Sequence, residues 1–269
     1  FILYSFTSSS SGNYTKYFFH YCYFKFTIIK ICLINVCFKL YNLQSENLMN
    51  NRSISFEFEK KVWEAENTFY LNAKSSRIAK FIYHYEIYKK ILNIPGDILE
   101  FGVFKGASFS RFLSFRKILE NEDSRRIIGF DDFGSFTVKG TKEDKKFAKK
   151  FIKTLGKGTN HQILMNTLKK NKYSNFELIK GDVVKTLPLY LKKNKGFKIA
   201  LLHLDLDIFR PTTYVLKKLF SKMSRKGVIL IDDYGEIHGA TKAIDDFFSK
   251  KNCKIEKLNY YKRPSYIVV

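Results

Sequence analysis

The chain has 269 residues, 45% of them hydrophobic, with 48 Lys+Arg against 25 Asp+Glu and a formal net charge of +23. That length and apolar content support a packed domain with additions and exclude a chain that is mostly disordered. The four cysteines, Cys22, Cys32, Cys37 and Cys253, make no CxxC and no Cys/His zinc spacing, which excludes a zinc module and suits a reducing cytoplasm.

A basic balance this strong raises the question of an anionic partner. Only nine of the basic residues are Arg, the better bidentate reader of phosphate. The lysines are dispersed as short KK pairs from Lys60 to Lys251. That scatter reads as a solvated Lys-rich surface, so no nucleic-acid partner is expected.

Residues 1–48 differ from the rest. The stretch FILYSFTSSSSGNYTKYFFHYCYFKFTIIKICLINVCFKLYNLQ has no acids, crowded aromatics and no sustained period. Lys25, Lys30 and Lys39 interrupt its apolar run, and a bilayer span needs about 20 mostly apolar residues, so no membrane partner is expected. A basic start and a small-residue cleavage site are both missing, which argues against a signal peptide. The expectation is a leader, non-native or disordered, with the native protein starting at Met49.

Residues 56–93 place apolar side chains at three-to-four spacing, which predicts two helices with a break near Asn72–Ser76. Together with the residues from 49 they form an N-terminal helical cap over 49–95, closed by the Pro95–Gly96 turn signal. DILEFGVF is a first strand, followed by a helix over 109–120. RIIGFDDF (126–133) is a second strand. A polar, Lys-rich region over 134–160 follows, and the segment 134–165 reads as a lid or a passive surface excursion. A helix near 161–171, a strand over 175–182 and a short helix near 183–193 come next. KIALLHLDLD (198–207) is the fourth strand, 211–223 a helix, KGVILIDD (226–233) the fifth strand, and 239–250 a helix. Two final strands near 253–259 and 264–269 bring the total to seven. Strands alternating with helices, with inner strands that are continuous apolar runs, predict an α/β fold over 96–269 with a parallel sheet covered on both faces. Such sheets bind ligands beyond the C-terminal strand ends.

The acids gather at those ends. The first strand runs into Glu100-Phe101-Gly102-Val103-Phe104-Lys105-Gly106-Ala107-Ser108, where two glycines let a backbone approach a ligand before a helix starts. The spacing fits neither GxGxxG nor the P-loop. Glu100 would repel a phosphate and suits an amine or hydroxyl donor. The second strand ends at Asp131, placed to accept from ribose hydroxyls, and the third at Asp182, which could meet an adenine edge; each acid could instead cap a helix. A nucleoside-bearing ligand with little phosphate demand suggests S-adenosylmethionine.

HLDLDIF (203–209) and ILIDDYG (229–235) add Asp205, Asp207, Asp232 and Asp233 at the ends of two strands expected to be neighbours. Clustered carboxylates repel, and a hard cation such as Mg²⁺ relieves this through oxygen ligands. Adjacent residues of a strand point to opposite sides, so Asp232 and Asp233 ligate together only if the chain turns at Tyr234-Gly235. His203 shares a face with Asp205 and reads as a buried, hydrogen-bonded residue or as an aid to the chemistry. His238 lies in a loop that could face an acceptor.

The phrases LEFGVFKGAS, GFDDFGSF, KGDVVKTLP, LHLDLDIFRPT and KGVILIDDYG, in this order, resemble those of the macrocin O-methyltransferase family, the TylF/MycF group, over about residues 56–269. The resemblance implies a Rossmann-like class I methyltransferase fold and a cytoplasmic, Mg²⁺-dependent, S-adenosylmethionine-dependent enzyme. Its acceptor would be a small-molecule hydroxyl, typically on a sugar. By the same resemblance Asp205, Asp232 and Asp233 fall on metal positions and Asp205 also on the base. Glu100, Gly102, Gly106, Ser108, Asp131 and Asp182 fall on cofactor positions. Phe209 replaces a common Tyr, Arg210 a frequent acid, and Gly134-Ser135-Phe136 the usual Glu-Gly-Leu, which bears on the acceptor rather than on metal or cofactor. The helices of 56–93 cover the acceptor pocket or build a homo-oligomer contact. The rival readings are an RNA methyltransferase, suggested by charge, and a non-catalytic cofactor-binding protein.

Overall fold

A computed structural model describes residues 56–134 and 142–269, so the expected leader over 1–48 lies outside the described residues. The chain divides into two units at Asn72/Ala73. In the first, helix α1 spans Phe56–Asn72 and exposes Trp63 and Leu71.

The second unit begins with α2, Ser75–Lys90, and continues β1 (Asp97–Phe101), α3 (Ala107–Leu119), β2 (Ile127–Asp131), α4 (Lys142–Leu155), α5 (His161–Lys170), β3 (Phe176–Lys180), α6 (Val183–Lys193), β4 (Ile199–Leu204), α7 (Phe209–Leu219), β5 (Met223–Ile231), α8 (His238–Phe248) and β6 (Ser265–Val268). The break between α1 and α2 falls where the helical period lapses. The sheet order is β3-β2-β1-β4-β5-β6, parallel except for the antiparallel β6. The sheet has six strands among the described residues where seven were expected. The strand anticipated over 253–259 is reduced to one antiparallel bridge, Glu256 to Tyr266. CKIEKLN supplies too few apolar residues at period two to bury a face.

β1 and β4 are central, and all six residues of β4 are buried, as an apolar run covered on both sides requires. One core, around Ile98, Phe112, Leu201 and Leu230, lies on the sheet face covered by α2 and α3. The other, around Leu99, Leu202, Val215 and Ile244, lies on the opposite face against α6, α7 and α8. Each large apolar side chain taken fully out of water contributes about 1.5–3 kcal/mol. Two of the few arginines are spent inside. Arg116 donates to the carbonyls of Arg125, Ser174 and Asn175. Arg125 pairs with Glu120 at 2.7 Å and donates to the carbonyls of Ile91, Leu92, Ile94 and Gly96. This pins the approach to β1 at the end of the sheet opposite the acidic strand tips.

The segment 134–165, expected as a lid or a passive surface excursion, has residues 135–141 outside the described residues and contains α4. Its Phe147, Phe151, Ile152 and Leu155 make an apolar stripe that was diluted in the sequence by lysines. None of the helices among the described residues is long and apolar enough to cross a membrane.

Candidate active site

The C-terminal ends of β1, β4 and β5 lie side by side. Asp205 N–H donates to the Phe101 carbonyl at 2.9 Å, and Asp232 N–H to the Leu204 carbonyl at 3.0 Å. These bonds prolong the parallel ladders by one step and bring the two acidic phrases together. After Ile231 the chain bends, with the Glu236 and Ile237 amides donating to the Asp233 carbonyl. That turn lets both neighbouring aspartates face Asp205. One oxygen from each of Asp205, Asp232 and Asp233 lies within 4.8 Å of the others.

Asp232 and Asp233 are buried and Asp205 is half-buried, and the electrostatics follow. Burial pushes the Asp205 carboxyl well above its usual range, and Asp232 and Asp233 push it further. Burial and the neighbouring Asp207 do the same to Asp233. Asp207, held at φ 62°, is raised to about 8 by burial and by Asp205. It hydrogen-bonds to Asp233, so the fourth aspartate of the two phrases joins the group. Asp232 goes the other way: burial opposes its charge, but Lys80 and His203 hold it well below the usual carboxylate range. Lys80, from α2, donates to Asp232 Oδ2 at 2.6 Å. Sequence reasoning missed Lys80, because its 152-residue separation from Asp232 leaves no local signal.

Two cavities meet here. One, of about 350 Å³, is lined by Gly102, Asp131, Asp132, Asp182, Val183 and Arg210 among others. The second, of about 850 Å³, is lined by Ser108, Asp207, Asp232 and Asp233 and by the apolar stripe of α4. Gly102, Asp131 and Asp205 line both. Arg77, Lys80, Lys105 and Arg111 also face the larger cavity. Arg77 and Arg111 have no carboxylate at ion-pair distance among the described residues, and burial together with the charge of Arg77 lowers the Arg111 guanidinium.

The remaining expected cofactor residues are placed as follows. Gly102 sits at φ +95°, and a Cβ there would lie 1.8 Å from the Asp205 carbonyl oxygen. Gly106 lines neither cavity; a Cβ on it would meet Leu164 Cδ1 at 2.7 Å, so it serves the seating of α5. Glu100 is fully buried behind Ser108, whose hydroxyl donates to Oε1. Asp131 accepts from the Phe104 amide at 2.9 Å and the Phe133 amide at 2.6 Å, which folds the glycine turn over the tip of β2. Asp182 caps α6 by accepting from Val184 N–H at 2.9 Å. Both acids therefore do structural work while lining the smaller cavity. His238 begins α8. His203 lies fully buried between Glu100 and Asp232.

The family profile of macrocin-O-methyltransferases (TylF) matches residues 76–259. The chain belongs to that family. The family match spans every element from α2 to α8, so all the acids above lie within it. Among relatives, the chain is 26% identical over 170 residues to a demethyldecarbamoylnovobiocin O-methyltransferase of Streptomyces niveus, which covers 59% of this chain and 60% of that enzyme. It is 27% identical over 160 residues to the 8-demethyl-8-(2,3-dimethoxy-alpha-L-rhamnosyl)-tetracenomycin-C 4'-O-methyltransferase of Streptomyces olivaceus, covering 57% of this chain and 58% of that one. The chain thus spans under two thirds of both relatives. Among solved structures, the calicheamicin methyltransferase CalS11 superposes with a TM-score of 0.63 at 23% identity, over 82% of this chain and 88% of the other. The O-methyltransferase NovP gives 0.58 at 18%, over 70% and 78%. The fold of this TylF-family chain is the Rossmann-like class I methyltransferase fold.

Proposed function

We propose that this protein is an S-adenosylmethionine-dependent, Mg²⁺-dependent O-methyltransferase whose acceptor is a hydroxyl on a sugar of a small molecule. The observation that carries this reading is the convergence of Asp205, Asp232 and Asp233 at the point where two cavities meet. Three carboxylates this close together, two of them buried and one half-buried, are a poor arrangement alone. The donor set is all oxygen, as Mg²⁺ prefers, and Asp232 Oδ1 and Asp233 Oδ2 are buried without a hydrogen-bond partner among the described residues. Those residues therefore fit a divalent cation held by Asp205, Asp232 and Asp233. The smaller cavity suits the nucleoside part of the cofactor, with Gly102, Asp131 and Asp182 on its wall. Ser108, anchored by Glu100, faces the larger cavity, which would also take the acceptor.

When bound, the metal lowers the pKa of a nearby hydroxyl, and the sulfonium cofactor supplies a methyl group that is intrinsically electrophilic. The chain's own residues then do three things. Asp205, which reaches both cavities, takes the hydroxyl proton. The glycine turn, fixed by Asp131 on the Phe104 and Phe133 amides, holds the cofactor's approach to the strand tips. The apolar stripe of α4 and the enclosing cavity walls keep water away from the reacting atoms.

The acceptor class rests on the relatives. Two of them are O-methyltransferases of demethyldecarbamoylnovobiocin and of a rhamnosyl tetracenomycin. A structure of CalS11 at 25% identity and TM-score 0.57, covering 76% of this chain and 85% of that one, is described as a TDP-rhamnose 3'-O-methyltransferase. The test is incubation with methyl-labelled cofactor, MgCl₂ and a panel of TDP-sugars and glycosides. Label should pass to at least one sugar and stop on chelation. Transfer at full rate after metal removal would refute the metal role, and no transfer to any sugar would refute the acceptor class.

A further inference from the structure

β1, β4 and β5 place three ionisable side chains in one row on the sheet face covered by α2 and α3. Glu100 is the register partner of His203, and His203 that of Leu230, two residues before Asp232. The ring of His203 stands between the two acids. Its Nδ1 is 3.7 Å from Glu100 Oε1, and its Nε2 is 3.8 Å from Asp232 Oδ1. Both contacts are longer than hydrogen bonds, and the protonated ring attracts both carboxylates across them. Both ring nitrogens, Glu100 Oε2 and Asp232 Oδ1 are buried without a hydrogen-bond partner among the described residues. A native interior rarely leaves so many polar atoms orphaned unless they serve a ligand or one another. His84 packs edge-on to His203 at 5.4 Å between ring centroids, and Phe112 at 5.5 Å, so the ring is walled in.

The row has a functional group at each end. Ser108 bonds Glu100 and lines the larger cavity; Lys80 bonds Asp232, which lines the same cavity among the acids proposed to hold metal. His84, His203 and Asp232 also bring one ligand atom each within 4.8 Å. That group lies under the acid cluster rather than in a cavity, and each His203 nitrogen already faces a carboxylate, which makes the ring a bridge rather than a ligand.

We propose that His203 is a positioning residue that couples cofactor binding, through Glu100 and Ser108, to divalent-metal binding, through Asp232. The inference rests on the cofactor and metal of the function proposed above. A ligand that fixes one carboxylate also fixes the ring, and the ring presents the second carboxylate already ordered. The second ligand then pays less to organise its site, which gives positive coupling without any large movement.

The coupling is read by calorimetry of S-adenosylhomocysteine binding with and without MgCl₂. In the wild type Mg²⁺ should tighten it by about fivefold or more, in line with ordinary coupling energies. His203→Asn keeps an amide near the Nδ1 position and should preserve the link to Glu100. His203→Gln reaches the Nε2 position and should preserve the link to Asp232. The Asn variant should therefore lose Mg²⁺ affinity more than cofactor affinity, and the Gln variant the reverse. In both, the ratio of affinities with and without metal should fall to one. Wild-type ratios in both variants, or equal losses of both ligands, overturn the proposal. Failure of the wild type to bind either ligand overturns instead the function on which it rests. Thermal unfolding of both variants, Gln being close to His in volume and Asn smaller, shows that the comparison is made on folded protein.

Discussion

Gly102→Ala is the substitution whose cost is most directly worked from the structure. An L-residue at φ +95° is strained, and the added Cβ would lie 1.8 Å from the Asp205 carbonyl oxygen and 2.7 Å from its carbon. Real Cβ atoms do not come closer than about 3 Å to such an atom, so the Asp205 backbone must retreat by more than about 1 Å. Left-handed strain of about 1–2 kcal/mol and overpacking of about 1–3 kcal/mol sum to about 2–5 kcal/mol. Gly235, at φ +78° with no described residue within 4 Å of an added Cβ, would bear the strain alone. Urea unfolding should therefore show Gly102→Ala losing at least about 1 kcal/mol more than Gly235→Ala. The retreat also moves Asp205 away from Asp232 and Asp233, so Mg²⁺ titration should show weaker binding in Gly102→Ala. Equal stability losses in the two variants, with unchanged Mg²⁺ affinity at Gly102→Ala, would refute the reasoning.

Asp232→Asn should fold, yet weaken Mg²⁺ by more than about 100-fold and abolish turnover; a variant that methylates at the wild-type rate removes Asp232 from the metal set. Lys80→Met takes away the cation 2.6 Å from Asp232 and should tighten Mg²⁺ binding, and weaker binding would show that Lys80 helps rather than competes. Burial raises the Tyr190 phenol to about 12, and its hydroxyl has no hydrogen-bond partner among the described residues. The folded state therefore holds the proton more tightly than the unfolded chain. This contribution is complete below pH of about 10 and is lost as pH rises from about 10 to about 12. Thermal melts of Tyr190→Phe should lose less stability than the wild type across that interval, and parallel curves would contradict the assignment.

Much of the frame was legible from local pattern. Ile199–Leu202 of β4 and 227–231 of β5 are small or apolar and buried because both faces of the sheet are covered there, and acids stand at the ligand-binding edge: Glu100 next to the last residue of β1, Asp205 just after β4 and Asp232 just after β5. The turn at 234–235 was readable because two adjacent aspartates can face one point only if the chain bends there. α4 was not, since its apolar stripe is spaced among lysines that lower the average hydrophobicity without breaking the helical period. Nor was the division of labour among the acids. Asp131 accepts from the nearby Phe133 amide and from the Phe104 amide 27 residues away, and Asp182 from the nearby Val184 amide, while both line a cavity, and whether a carboxylate faces an amide, a ligand or both depends on packing.

Sequence alone determined the alternation of strands and helices, the glycine turn and the placement of carboxylates at strand ends, because these follow from periodicity and local backbone chemistry. Only the tertiary structure decided that Lys80 and the His84–His203 pair stand against Asp232. Those partners come from α2 and β4, far apart in the chain, and strand register with helix packing sets which side chains share so small a buried space.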